Sequence, residues 1–254
     1  MTQAFSFSLE GKVAIVTGAN TGLGQGMAVA LAQAGADICG VGHIDAPETR
    51  ELVIAAGRRF HFVEANLLSI EPVDRIVKDA VEVFGRVDIL VNNAGIIRRE
   101  DSVNFSEKDW DEVMDINLKT PFFLSQAVAK QFMEQGQGGK IINIASMLSF
   151  QGGIRVPSYT SSKSGIAGLT RLLACEWAQH GINVNAIAPG YMATDNTTAL
   201  RADEKRNADI LGRIPANRWG TPEDLAGPVV FLASSASDYV NGYTVAVDGG
   251  WLAR

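Results

Sequence analysis

Short runs of mostly apolar residues alternate with longer amphipathic segments along nearly the whole chain, and this alternation limits the fold more than any other feature. Seven such runs are predicted to be strands: Val13–Thr17, Asp37–Val41, Phe60–Glu64, Ile89–Asn92, Lys140–Ile144, Val184–Ile187 and Thr244–Val247. Strands that are apolar on both faces are typical of parallel sheets covered by helices on each side. The pattern predicts an α/β fold, a doubly wound sheet of about seven parallel strands flanked by helices.

The segments between the runs are predicted to be helices: Gly22–Ala34, Glu48–Ala56, Ile70–Phe84, Asp109–Gln135 in one or two pieces, Ser158–His180 and Pro222–Ala233. Four of them are followed by Gly35, Gly57, Gly85 and Gly181, and glycine is the residue that most often follows a helix. Pro121 marks either a helix start or a kink. No repeat and no linker divides the chain, so we expect one domain over residues 1–254.

The charge balance excludes one class of partner. The 254 residues contain 22 Lys and Arg against 28 Asp and Glu, a net charge of −6. Nucleic acid binding needs a basic face for phosphate contacts, so no nucleic acid partner is expected. No window approaches the ~18 apolar residues of a membrane span, and Met1–Leu9 lacks the features of a secretory leader. We therefore expect no membrane association and a cytoplasmic location.

Cysteine and histidine are too scattered to form a metal site. Cys39 and Cys175 both lie in apolar runs and are predicted to be buried free thiols. The chain has no CxxC pair and no cluster of cysteine and histidine, so no metal is expected.

A glycine-rich turn joins the first strand to the first helix. Thr17–Gly24 reads Thr-Gly-Ala-Asn-Thr-Gly-Leu-Gly, with glycines at 18, 22 and 24. Glycines in such a turn let the backbone approach a pyrophosphate closely and let the helix pack near the strand, while the helix N-terminus stabilises the anion. The alternative is a structural turn with incidental glycines. The spacing is Gly-x-x-x-Gly-x-Gly, which differs from the usual dinucleotide fingerprint.

Further motifs lie at or near the ends of later strands and in the helices between them: Asn92–Gly95, Asn117, Ser146, Tyr159 with Lys163, and Pro189–Gly190. Together with the first turn they resemble the short-chain dehydrogenase/reductase family, and the match runs from Leu9 to Trp251. The step of 13 residues from Ser146 to Tyr159 and the Tyr-x-x-x-Lys spacing are specific in combination. The resemblance implies a Rossmann-type domain and a nicotinamide cofactor.

The Tyr-Lys pair makes chemical sense by itself. Tyr159 and Lys163 are four residues apart, so they share one face of a helix. A tyrosine has a pKa of about 10, and a nearby ammonium or a positive nicotinamide ring would stabilise its phenolate. Tyr159 could then take a proton from an alcohol as hydride leaves, or donate one to a carbonyl. Taken singly, each residue could instead be structural: a packed tyrosine, a solvated lysine, or a helix cap at Ser146.

The resemblance assigns further roles by position. Ser146 would bond the reacting oxygen, Lys163 the nicotinamide ribose, and Asn117 would hold a water in a proton relay through Lys163. Asn66 stands where the family usually has an aspartate that touches adenine. The implied cofactor contacts are Gly18, Asn20, Thr21, Gly22, Leu23, Gly24, Gly42, His43, Asn66, Leu67, Asn93, Ala94, Gly95, Tyr159, Lys163, Pro189, Gly190, Met192 and Thr194.

The end of the second strand bears on the choice of cofactor. An acidic residue there usually bonds the NAD ribose, and an arginine accommodates the NADP phosphate. Gly42 and His43 occupy this place, and no Arg or Lys lies between Gly35 and Arg50. A 2′-phosphate would lack a cationic partner unless His43 is protonated, so NAD is expected in preference to NADP.

Residues 92–101, 146–159, 188–194 and 234–251 resemble members of the family that act on 3-deoxy hexonates such as 2-dehydro-3-deoxy-D-gluconate, in uronate and pectin breakdown. Such acids need a cationic grip, for which guanidinium groups are suited. The candidate substrate contacts are Arg98, Arg99, Ser146, Gln151, Arg155 and Tyr159. The arginines could equally make surface salt bridges.

The resemblance also implies a substrate flap over residues 191–215 and a homotetramer. Two alternatives stay open. The enzyme could act on another substrate, such as a sugar, a polyol or a 3-oxoacyl thioester. The chain could also be a cofactor-sensing module without turnover, although such modules usually lack the Tyr-Lys pair.

Overall fold

The computed structural model describes residues 5–254, apart from the side chain of residue 196. Residues 1–4 belong to the N-terminal stretch in which no leader is expected, and they lie outside the described residues. In the part of the chain that is described, no helix combines the length and the apolar character needed to cross a membrane.

Seven parallel strands form one sheet in the order β3-β2-β1-β4-β5-β6-β7. The strands are β1 Val13–Thr17, β2 Asp37–Gly42, β3 Phe60–Glu64, β4 Ile89–Asn92, β5 Gly139–Ile144, β6 Ile182–Pro189 and β7 Thr244–Val247. The predicted doubly wound α/β fold is confirmed. The order reverses direction between β1 and β4, and ligands of such sheets bind beside the carboxyl ends of the strands at that point.

Helices connect the strands: α1 Gly22–Gln33, α2 Pro47–Ala55, α3 Val73–Phe84, α4 Glu107–Met114, α5 Thr120–Gln135, α6 Pro157–Trp177, α7 Thr198–Ala202, α8 Glu204–Arg213 and α9 Ala226–Ala233. The predicted helix over 109–135 is divided by a π-helical turn at Asp115–Lys119, and Pro121 lies in the first turn of α5. Gly85 ends α3 in the left-handed region, with φ 83°, as its position predicted.

Two cores explain why the strands are apolar throughout. Val16 of β1 points to the face covered by α1 and α9, where it packs in the same cluster as Leu31. Its neighbour Ile15 points to the opposite face, covered by α3 and α5, and belongs to the cluster that contains Val128. Successive strand residues face opposite sides, so burial on both sides requires a continuous apolar run.

One prediction about the cysteines is wrong. Both are free, but only Cys39 is buried, while Cys175 is exposed. Cys175 lies on α6, where its neighbours Leu173 and Ala174 turn inward. An apolar neighbourhood along a helix therefore does not place every residue on the buried face, because adjacent residues are about 100° apart around the axis.

Candidate active site

The glycine-rich turn after β1 is fastened to the end of β4. The hydroxyl of Thr17 accepts the backbone N–H groups of Asn93 and Ala94, each at 3.0 Å, and the Asn93 amide donates to the Thr17 carbonyl at 2.9 Å. A side chain at Gly24 would overlap the Gly18 carbonyl and the Asn93 amide. Gly18 and Gly24 therefore allow α1 to pack closely against the turn, and the hydrogen bond of Asn93 stabilises that packing.

The N-terminus of α1 fits a pyrophosphate. Thr21 precedes the helix without a capping hydrogen bond from its side chain, and the first turn holds no acidic residue. Its leading N–H groups are therefore not satisfied by a side-chain cap, which is the arrangement that binds phosphate at helix N-termini.

Other predicted cofactor contacts border this turn on both sides. A Cβ built at Gly22 would lie 3.7 Å from the methyl carbon of Thr194, and one built at Gly42 would lie 3.9 Å from the side-chain oxygen of Asn20. The turn thus brings the loop after β6 and the end of β2 together. His43 is exposed beside it.

The remaining predicted cofactor contacts have defined places at the same edge. Asn66 is exposed, and its side-chain oxygen accepts the N–H of Leu68 at 3.1 Å, so the amide nitrogen is its remaining donor. Leu67 is buried. Pro189 ends β6, and the N–H of Gly190 donates to Val247 at 2.9 Å. Met192 follows and is buried.

Four side chains, which we call the catalytic floor, lie beyond the turn: Asn117, Ser146, Tyr159 and Lys163. Lys163 is 5% exposed, and its ammonium donates to the carbonyl of Ile144, the last residue of β5, at 2.6 Å. The same nitrogen lies 5.6 Å from the centre of the Tyr159 ring. Burial lowers the pKa of Lys163 to about 8, because desolvation disfavours the charged form.

Burial raises the pKa of Tyr159 above its ordinary value. A hydrogen bond with Ser146 and the charge of Arg99 act in the opposite direction, because both favour the phenolate, but they are outweighed. The expectation that the neighbouring ammonium lowers this pKa is thus not met in this structure. The phenol is protonated near neutral pH and suited to donate a proton.

Ser146 has the capping role that the sequence left open, while its hydrogen bond to a reacting oxygen stays a prediction. Its hydroxyl accepts the N–H of Leu148 at 3.2 Å and caps the short turn Met147–Ser149. The Ser149 hydroxyl in turn donates to the carbonyl of Lys163 at 2.6 Å. The loop after β5 is therefore attached to α6, which holds Ser146 beside Tyr159.

Asn117 lies in the π-helical turn and is 1% exposed. Its side-chain oxygen accepts the N–H of Ile96, its amide donates to the Ile96 carbonyl, both at 2.9 Å, and the same amide donates to Ser162 at 3.2 Å. These bonds occupy the side chain. The predicted water-holding role of Asn117 would therefore require another atom, such as its backbone carbonyl, and stays a prediction.

Three arginines, which we call the arginine rim, differ in their partners. Arg98 pairs with Asp109 at 3.4 Å and with Glu112 at 2.9 Å. The Nε atom of Arg155 lies 3.1 Å from Asp101. Arg99 is exposed, has no carboxylate within 4 Å among the described residues, and its charge acts on Tyr159. Salt bridges, the alternative to a substrate contact, are present for Arg98 and Arg155.

The backbone at Arg155 is unusual. It has φ 64°, in the left-handed region that side chains rarely adopt. Its carbonyl accepts the N–H of Glu100 at 3.0 Å, which joins the active-site loop to the segment after β4. Strain of this kind persists where the surroundings enforce it, as they often do at functional sites.

Sequence reasoning missed an aromatic cluster beside Gln151. The ring of Tyr191 lies 4.8 Å from that of Trp251 and 5.5 Å from that of Trp219. The indole N–H of Trp251 donates to the side-chain oxygen of Gln151 at 3.1 Å. No local pattern predicts this cluster, because Tyr191, Trp219 and Trp251 lie far apart in the sequence.

A buried polar ladder was also missed. The Asn92 amide donates to Ser125 and to Asn143, each at 2.9 Å, and the Asn143 amide donates to Thr170 at 3.0 Å. It ties β4 and β5 to α5 and α6 directly beneath the catalytic floor.

Among residues 5–254, no group of three metal-ligating side chains is found.

The chain resembles dehydrogenases over its full length. The sequence profile of the enoyl-(acyl carrier protein) reductase family matches residues 18–252. The chain is 70% identical over 249 residues to the 2-dehydro-3-deoxy-D-gluconate 5-dehydrogenase of Escherichia coli, covering 98% of both chains.

Solved structures agree with the sequence comparison. An Agrobacterium tumefaciens protein proposed to be a 2-deoxy-D-gluconate 3-dehydrogenase, with bound NADP, is 58% identical with a TM-score of 0.93, over 98% of this chain and 99% of that one. A gluconate 5-dehydrogenase of Burkholderia cenocepacia, in complex with NADP and tartrate, is 36% identical with a TM-score of 0.93, over 98% of each chain.

Proposed function

The chain belongs to the short-chain dehydrogenase/reductase family, and from that premise we propose that it transfers a hydride between NAD(H) and a hydroxyl or keto carbon of a 3-deoxy hexonate. A substrate such as 2-dehydro-3-deoxy-D-gluconate, in uronate and pectin breakdown, fits best. The observation that carries this proposal is the exposed guanidinium of Arg99, which has no carboxylate within 4 Å among the described residues and whose charge lowers the pKa of Tyr159. A carboxylate bound there would hold its sugar chain against the phenol.

The proton steps follow from the catalytic floor. The nicotinamide cofactor, when bound, supplies or accepts the hydride. In reduction, Tyr159 donates its proton to the keto oxygen, and Ser146 bonds the same oxygen. In oxidation, Tyr159 must first lose its proton, which the charge of Arg99 favours. The raised pKa of Tyr159 keeps the phenol in the protonated form that donates in reduction.

Arg99 is the first candidate for the substrate carboxylate, and Arg155 the second. The charge of Arg98 is already balanced by Asp109 and Glu112. Arg155 meets Asp101 through Nε. A guanidinium with no carboxylate partner has most to gain from an acidic ligand, because no existing ion pair must be broken.

For the cofactor we propose NAD rather than NADP. In the described structure, the cation that follows β2 is Arg50, and it pairs with Asp45 at 3.0 Å. Gly42, His43 and Asn20 supply no fixed positive charge for a 2′-phosphate. The solved relatives named above bind NADP, so a comparison of NADH with NADPH is the direct test of this choice. A higher kcat/KM with NADPH than with NADH would overturn it.

We further propose a flap over residues 191–215, which here holds α7 and α8, and a cytoplasmic homotetramer. Closure of the flap over a bound acid would exclude water from the reaction. Tryptic cleavage at Arg201, Lys205 and Arg206 should slow when NADH and the acid are both present. Light scattering after size-exclusion chromatography measures the assembly, and a monomer would refute the tetramer.

One panel of assays at 340 nm tests the reaction. It compares 2-dehydro-3-deoxygluconate, 2-deoxygluconate, gluconate, galactitol and a 3-oxoacyl thioester analogue, each with NAD(H) and NADP(H). We expect the highest kcat/KM with a 3-deoxy hexonate. Preference for galactitol or the thioester would mean that the substrate is a polyol or a 3-oxoacyl thioester instead of a hexonate. Cofactor binding without turnover of any compound would indicate a sensing module.

A further inference from the structure

Trp251 stands at a junction of three segments that border the catalytic floor. It begins the short C-terminal turn Trp251–Ala253 and is 4% exposed. Its ring packs against Tyr191, which follows β6, and the guanidinium carbon of Arg213 lies 4.0 Å from its centre. Its indole N–H bonds Gln151, in the loop after Ser146.

This bond fixes which end of the Gln151 amide is available. An indole N–H can donate a hydrogen bond but not accept one, so only the amide oxygen can face Trp251. The NH2 group of Gln151 is then directed away from the indole. A free glutamine can turn either end toward a ligand, whereas this one presents a donor.

The same ring connects Gln151 to the flap. Arg213 is the last residue of α8, and Ile210 and Ile214 belong to the apolar cluster that contains Trp251. Met147, directly after Ser146, belongs to that cluster too. The packing of the flap and the orientation of the Gln151 amide therefore both depend on the side chain of Trp251.

We propose that Trp251 is a positioning residue that sets the specificity of Gln151: it holds the amide so that its NH2 group donates to an oxygen of the substrate. The site then favours a carbonyl, carboxylate or hydroxyl oxygen that can accept a hydrogen bond at that point. The inference rests on the proposed function and on the sequence-based prediction that Gln151 contacts the acid.

A double-mutant cycle tests the proposal in the full-length enzyme with 2-dehydro-3-deoxygluconate and its preferred cofactor. Trp251→Phe keeps an aromatic ring and removes the N–H. We expect KM to rise about 3- to 10-fold, the scale of one hydrogen bond, with kcat nearly unchanged, since the bond is present in ground and transition states alike. In a Gln151→Ala background the same substitution should change KM by less than about 2-fold, because residues that act through one another are not additive.

Trp219→Phe is the matched control. Trp219 packs on the same Tyr191, but its indole N–H donates to Asn207 at 2.7 Å rather than to Gln151. Its effect should add to that of Gln151→Ala. Additive effects of Trp251→Phe and Gln151→Ala, or equal coupling for Trp219→Phe, would overturn the proposal.

A measurement without turnover separates this inference from the proposed function. The indole N–H resonance of Trp251, followed by NMR in labelled protein, should move upfield in Gln151→Ala while that of Trp219 stays. An unmoved Trp251 signal would refute the inference alone. A wild-type enzyme inactive on every hexonate would refute the proposed function, and with it the substrate contact of Gln151.

Discussion

The catalytic floor and the arginine rim belong to the same proposed site but are built differently. The floor residues Asn117 and Lys163 are nearly inaccessible, and each bonds a backbone carbonyl in a neighbouring segment. The rim residues lie on loops, are partly or fully exposed, and two of them meet carboxylates. The floor side chains are held by packing and by hydrogen bonds to uncharged backbone groups. Two of the rim side chains are held by ion pairs with carboxylates.

The difference in burial suggests separate tasks: the floor for the chemical step and the rim for the choice of substrate. A buried polar group costs about 1–3 kcal/mol if its partner is lost, so the floor tolerates little variation. Exposed ion pairs contribute about 0–1 kcal/mol and can be exchanged at small cost. We therefore expect substitutions in the floor to affect rate or folding, and substitutions in the rim to affect which acid is bound.

Tyr159→Phe should have the largest effect. It removes the acidic proton and keeps the ring, so kcat should fall about 10²- to 10⁴-fold, the range of general acid–base catalysis. The affinity for NADH, measured by fluorescence titration, should change little. If kcat fell less than 10-fold, another group would supply the proton and the floor would not be the reaction centre.

Asn117→Ala should have the next largest effect, on stability. It leaves the N–H and carbonyl of Ile96 without their side-chain partner, so the free energy of unfolding should fall by about 1–3 kcal/mol. Urea unfolding measures this. Asn66→Ala is the control, because Asn66 is exposed and makes one backbone bond, and it should change stability by less than ~0.5 kcal/mol. Equal losses of stability in the two variants would mean that the buried hydrogen bonds of Asn117 contribute no more than the exposed bond of Asn66.

Arg99→Leu should sharpen the contrast within the rim. Loss of a charge-assisted grip should raise KM for a hexonate about 10-fold, while Arg98→Leu should have a smaller effect, since Arg98 is already paired. Arg99 also lowers the pKa of Tyr159. Without it that pKa rises, so the pH at which the oxidation rate reaches half its maximum should move upward. A pH profile unchanged from wild type would place Arg99 away from the phenol.

Arg155→Gly should have the smallest effect on folding. Glycine adopts φ 64° without strain but loses more entropy on folding, so the two terms nearly cancel and stability should change by less than about 1 kcal/mol. KM for the acid should rise less than in Arg99→Leu. A loss of several kcal/mol in thermal unfolding would show that the ion pair with Asp101 belongs to the structural frame instead.

Much of the fold could be predicted, because each strand is a local pattern. The bounds of β1, β3, β4 and β7 match the expected ones to the residue. β6 extends over Ile182–Pro189 and is longer at both ends than the predicted Val184–Ile187. Its polar residues Asn183 and Asn185 are satisfied by donating to the carbonyl of Val240. Such bonds join residues far apart in sequence and leave no local signal.

The spacing of the candidate site residues could be read from the sequence, but their contacts could not. Spacing placed Tyr159 and Lys163 on one helix face, yet it could not show that Lys163 turns to Ile144 or that burial raises the pKa of Tyr159. The partners of Arg98 and Arg155 depend on how loops meet, which periodicity does not encode. The orientation of Gln151 depends on a residue 100 positions away.

Because of the π-helical turn at Asp115–Lys119, the geometry of the site depends on the exact number of residues between α4 and α5. Each residue advances an α-helix by about 100°, so the additional residue rotates α5 out of phase with α4. In this arrangement α4 packs on α6, and α5 packs on α3. Deletion of a single residue here would restore a continuous helix and force one of these faces outward. A substitution scan would not detect this constraint, whereas an insertion and deletion scan would find it at once.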